Sequence, residues 1–215
     1  MTHKYKLVHI ALDGISIKGN LSIPPNALGL IIFAHGSGSS RLSSRNNYVA
    51  KILQEKGLAT LLFDLLTEDE DLIPQNRFNI DLITMRLIDV TQWVLHQKEL
   101  KNFSIGYFGA STGAAAAIRA AAFFGDDINS IVSRGGRPDL AMIDISKVTC
   151  PTLFIVGGLD KEVITLNRNA YRFLKCDRKF IIIRKATHLF EEPGKLAEVA
   201  EYSASWFVGH MKSKI

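Results

Sequence analysis

A chain of 215 residues, 47% of them hydrophobic, can close one substantial core, so a single domain over 1–215 is expected. The net charge of +5 comes from Lys and Arg scattered among acids with no cluster of five or more, which argues against a nucleic-acid partner. Cys150 and Cys176 are too few and too far from histidine for a disulfide framework or a metal site and read as reduced thiols of a cytoplasmic protein. Residues 1–14 lack the apolar stretch of a secretory signal, and no apolar run approaches the roughly 20 residues that cross a bilayer, so no membrane is implied.

In chain order, residues 6–12 and 18–23 alternate apolar and polar side chains and predict two antiparallel strands joined near Asp13-Gly14. From there on, runs rich in Val, Ile and Phe alternate with segments of helical period, the pattern of a mostly parallel sheet with helices on both faces. Further strands are expected at 28–34, 59–63, 103–108, 128–132, 152–156 and 179–183, and helices at 46–56, 78–97, 112–124, 163–174 and 195–211. The acidic stretch 67–75, which contains Pro74, reads as a surface loop. Only about 17 residues lie between Ser133 and Pro151, which leaves little or no room for a lid.

The strand at 28–34 runs into His35-Gly36-Ser37-Gly38-Ser39-Ser40. This loop has the glycines of a phosphate-binding loop but not its closing Lys-Ser/Thr. The strand at 103–108 runs into Gly109-Ala110-Ser111-Thr112-Gly113 and then an alanine-rich helix, the strand, turn and helix setting of a nucleophile elbow. Glycines two places either side of Ser111 remove side chains that would collide where the helix meets the strand. A serine hydroxyl is a weak nucleophile and calls for a base and an orienting acid. Asp160 follows the strand at 152–156 and His188 follows the strand at 179–183, so both stand at carboxyl ends of strands, where open α/β sheets hold their sites.

Each residue also has a plainer reading. Asp160 could cap the helix beginning near Val163, and His188 could bind a backbone carbonyl. The chain order Ser, Asp, His in three strand-end slots favours a triad of Ser111 nucleophile, His188 base and Asp160 acid. In such a site the amides of Ser37 and Thr112 would form the oxyanion hole, and His35 would brace the loop. Arg134 and Arg137, in Arg134-Gly135-Gly136-Arg137-Pro138-Asp139, and Arg41 are candidate substrate contacts, with Arg45 raising the same question; pairing with Asp139 or solvent is the simpler expectation for the first two. His3, His9, His96 and His210 lack the spacing of metal ligands.

The segments 35–40, 109–113, 157–160 and 186–194 together resemble the dienelactone hydrolase-like branch of the α/β hydrolases, and the resemblance spans nearly the whole chain. It is similar in particular to small members that also occur fused to phosphoribosyltransferase domains and carry a similar Arg-Gly-Gly-Arg-Pro-Asp segment. The resemblance implies the α/β-hydrolase fold, a mostly parallel sheet of about eight strands, and hydrolysis of a small carboxylic ester or thioester through an acyl-serine. No metal or organic cofactor is implied, and a monomer or homodimer is expected. Dienelactone hydrolase itself uses a cysteine nucleophile, whereas position 111 is serine. Two alternatives remain at this stage: a non-catalytic binding module on the same fold, and an acyltransferase or hydrolase whose anionic substrate is held by Arg134 and Arg137.

Overall fold

The computed structural model describes residues 5–211. β1 (Lys6–Leu12) and β2 (Ile15–Ser22) form the expected antiparallel hairpin, which turns at Gly14 with φ 72°. β3 (Leu30–Ala34), β4 (Ala59–Phe63), β5 (Ile105–Ala110), β6 (Ile128–Arg134), β7 (Thr152–Gly157) and β8 (Arg178–Ile183) complete one eight-stranded sheet in the order β1-β2-β4-β3-β5-β6-β7-β8. β2 joins β4 antiparallel, and every pair from β4 to β8 is parallel. β3, β4, β5 and β7 are buried along their whole length, which is why they read as unbroken apolar runs.

The helices divide between the two faces. α1 (Ser44–Glu55) and α6 (Lys195–His210) place Val49, Leu53, Val199 and Phe207 in one core. α3 (Ile80–His96), α4 (Thr112–Phe124) and α5 (Lys161–Phe173) bring Leu87, Val90, Ile118 and Ala170 to the other. Each large apolar side chain so buried contributes roughly 1.5–3 kcal/mol. Helix starts differ from expectation where a cap decides them. The Ser43 side chain accepts from Asn46 N–H and starts α1 two residues early, and Asn79 does the same for Leu82 and starts α3 two residues late.

The acidic stretch is more ordered than a surface loop. Thr67 and Glu70 form a reciprocal capping box on the short α2 (Glu68–Asp71), and a 3-10 turn follows at Pro74–Phe78. Arg77 pairs with Asp71 and the buried Arg86 of α3 with Glu70, which fixes the segment beside the carboxyl end of β4. Between β6 and β7 the chain makes only 3-10 turns, Pro138–Ala141 and Ile145–Lys147, and builds no helical lid. Among the described residues, no helix is long and apolar enough to cross a membrane.

Parallel pairing gathers the carboxyl ends of β3, β5, β6, β7 and β8 on one rim, and the loops that follow them converge there. At the other rim Met211 packs on Gly29 and Gly106, so closely that a Cβ on Gly106 would fall 2.6 Å from the Met211 Cε.

Candidate active site

Ser111 sits between β5 and α4 with φ 51° and ψ −121°, a backbone conformation that side chains other than glycine rarely adopt. Its surroundings hold it there. Its N–H donates to the Arg134 carbonyl (3.2 Å), and its carbonyl accepts from the Arg137 (3.0 Å) and Ala114 (3.1 Å) amides. Helix and strand meet so tightly that a Cβ on Gly109 would lie 2.5 Å from the Ala114 Cα, and one on Gly113 would strike the Ala34 carbonyl oxygen. The two glycines are required by this approach.

Asp160 and His188 are brought together by stitching of adjacent strand ends. Gly158 N–H donates to the Ile183 carbonyl (2.8 Å) and Leu159 N–H to that of Ala186 (2.9 Å). Asp160 stands at the start of α5 but its side chain caps no amide there; instead its Oδ2 lies 2.6 Å from His188 Nδ1. A carboxylate oxygen can only accept, so Nδ1 carries the proton and the Nε2 lone pair is left for another partner. The imidazole lies against Gly135, where an added Cβ would be 3.3 Å from its Cε1, and Gly135 follows the residue whose carbonyl binds the Ser111 amide. Among the described residues, neither the Ser111 hydroxyl nor His188 Nε2 has a hydrogen-bond partner. Unliganded sites commonly show this bond open until substrate closes it.

The loop after β3 covers the elbow, with Gly36 so near that a Cβ there would meet the Ser111 Cβ at 3.0 Å. His35 braces it, as expected. Leu65 N–H donates to Nε2 (3.0 Å), so Nδ1 holds the proton and donates to the Gly36 carbonyl (3.0 Å), and burial keeps the ring's pKa below the usual histidine range. The Ser37 amide is not free: it donates to the Thr112 Oγ1 at 3.0 Å. The Thr112 amide, the first of α4, has no intrahelical acceptor. A cavity of about 200 Å³ opens beside this loop, bounded by Gly36, Ser37, Arg41, Asp64, Leu66 and Thr112.

The arginines separate cleanly. Arg41 contributes to the cavity wall, but both its amide and its guanidinium are engaged by Asp64. Arg137 grips Asp139 with two hydrogen bonds, Nε to Oδ1 (2.9 Å) and Nη2 to Oδ2 (2.8 Å), and serves the elbow through its main-chain N–H. This is the pairing with Asp139 that was the simpler expectation from the sequence. Arg134 is buried, its guanidinium 6.0 Å from the centre of the Phe190 ring. Sequence reasoning missed Glu192, whose carboxylate accepts from Thr187 N–H (3.0 Å) and shapes the loop bearing His188; that hydrogen bond holds its pKa below the usual carboxylate range. The signal was there in the short span from Thr187 to Pro193.

Among the described residues, no three His, Cys, Asp or Glu side chains are grouped to hold a metal ion, and His3 lies outside them.

No protein-family model matches the chain. It is similar to the crystal structure of a dienelactone hydrolase from Anabaena variabilis, 46% identical with a TM-score of 0.95, covering 97% of this chain and 99% of that one. A Mycobacterium tuberculosis protein bearing the name phosphoribosyl transferase is 47% identical over 204 residues, 95% of this chain. The chain spans about half, 46%, of that relative's length. Est1E from Butyrivibrio proteoclasticus is similar in fold alone, 18% identical with a TM-score of 0.82 over 95% of this chain and 98% of its own.

Proposed function

The chain belongs to the dienelactone hydrolase-like branch of the α/β hydrolases, and from that premise we propose that it hydrolyses small carboxylic esters or thioesters through an acyl enzyme on Ser111. The observation that carries this reading is the 2.6 Å contact between Asp160 and His188, which spends neither side chain on its plainer alternative. His188 Nε2 takes the Ser111 proton as the oxygen attacks the carbonyl, and Asp160 holds the tautomer and stabilises the imidazolium. The protonated imidazole then passes that proton to the departing alcohol or thiol. Water, activated by the same nitrogen, attacks the acyl-serine, releases the acid and restores the hydroxyl.

For the developing oxyanion the donors are the Thr112 amide and the Ser37 amide, the second of which must leave the Thr112 hydroxyl or share itself. Each such donor is worth about 3–4 kcal/mol in the transition state of comparable sites. The cavity of about 200 Å³ beside this loop favours a short acyl group, since pockets for larger ligands run from roughly 300 Å³ upward.

A fluorophosphonate probe tests the proposal. Wild type should gain one adduct by intact mass and turn over short p-nitrophenyl esters, and Ser111→Ala should do neither. A wild type that is inert in both assays would instead be a binding module on this fold.

A further inference from the structure

The chemistry above uses the Thr112 amide and leaves the Thr112 hydroxyl as a rival for the Ser37 amide. The surroundings of that hydroxyl give it more to do. Thr112 is only 5% exposed, and its Oγ1 accepts from Ser37 N–H at 3.0 Å. A threonine hydroxyl is also a donor, and among the described residues this one has no acceptor for its proton. Thr91, inside α3, gives its proton to the Leu87 carbonyl one turn back (2.8 Å). Thr112 is the first residue of α4, and the residue four places back, Phe108, lies in β5, so that outlet is closed to it. Thr84, Ser130 and Ser133 are buried hydroxyls without a partner as well, but of the four only Thr112 lines the cavity of about 200 Å³.

Its place beside the nucleophile says where the proton goes. A Cβ on Gly36 would stand 3.8 Å from Ser111 Oγ, so the bond from the next residue, Ser37, to Thr112 runs along the edge of the reacting hydroxyl. The start of α4 is pinned where Gly113 meets the Ala34 carbonyl, and branching at Cβ leaves the threonine few side-chain positions. An oxygen that accepts a hydrogen bond is polarised, and its own proton becomes the better donor. The Ser37 amide therefore strengthens an O–H that has only the cavity to turn to.

We infer that the Thr112 hydroxyl is a third donor to the oxyanion, beside the two amides, and that the Ser37 amide shares itself between Thr112 Oγ1 and the new charge. This rests on the acyl-serine reading and adds a side-chain donor to its site. The proton stays on Oγ1 throughout. It meets the neutral carbonyl oxygen weakly and the charged one strongly, so its gain falls in the transition state. Between turnovers the same oxygen keeps the Ser37 amide paired and the loop after β3 in place.

Thr112→Val keeps the shape of the side chain and removes the donor. With p-nitrophenyl acetate its kcat and kcat/KM should both fall by about 10²-fold while KM stays within about threefold, the pattern of a contact made only in the transition state. Thr112→Ala should match it, and carries the same test if the valine variant does not fold. Thr112→Ser should return kcat to within about fivefold of wild type, short of full recovery because the methyl no longer fixes the hydroxyl. A kcat unchanged or raised in the valine and alanine variants overturns the proposal, since the hydroxyl would then only have withheld the Ser37 amide. So does a loss confined to KM, or a serine variant as slow as alanine. In each of these cases fluorophosphonate labelling of wild type leaves the acyl-serine reading standing, whereas a wild type that is neither labelled nor active removes both.

Discussion

At position 111 the backbone asks for glycine and the proposed chemistry asks for serine. Holding φ 51° and ψ −121° with a side chain in place stores roughly 1–3 kcal/mol, and the bonds to Arg134 and Arg137 hold the strain in place. Ser111→Gly should therefore be more stable than Ser111→Ala by about 1–2 kcal/mol, read from urea midpoints, while both lose ester turnover by about 10⁴- to 10⁶-fold. Equal midpoints would show that no strain is stored. Residue types and their order were enough to bring Ser111, Asp160 and His188 forward, because each follows a run of strand character. What they could not show is direction. Whether Asp160 turns to its own helix or to His188, whether the Ser37 amide is open or bound to Thr112, and which of two arginines in one motif lacks a partner all depend on side-chain aim across separate loops.

At the level of elements, the close seating of α4 on β3 and β5 makes glycine substitutions opposite in sign at two helix positions. Gly113→Ala would drive a Cβ into the Ala34 carbonyl and should destabilise by about 1–3 kcal/mol or more, with loss of the elbow geometry. Gly209→Ala, in α6 with open space around the new Cβ, should stabilise by about 0.5–1 kcal/mol, since alanine is the better helix former. Thermal melting of the pair checks both signs. The buried strands were legible because both faces are covered and the sequence there is almost wholly apolar. α2 was not, since four residues carry no helical period; its one written signal was the Thr67 to Glu70 capping box, local chemistry that a search for periodicity passes over.

Across the whole molecule, His35 joins the loop after β3 to that after β4 as a neutral, buried ring. Its folded-state pKa lies below the unfolded value of about 6.5, so the unfolded chain binds the proton first on acidification. The stability it contributes is present above that pH and is lost as pH falls through the folded-state value. Wild type should lose more stability than His35→Gln between pH 7.5 and pH 5, measured by urea midpoints, although the variant is the weaker of the two at pH 7.5. Parallel slopes would refute this account. The strand order itself was only partly legible: alternation of strands and helices implies a parallel sheet, but the placing of β4 between β2 and β3 follows from pairing across long separations.

Met211, seated on Gly29 and Gly106, marks the pole of the molecule away from Ser111. Its thioether fills the space that a side chain at either glycine would need, so the rim opposite the proposed reacting groups is closed by packing.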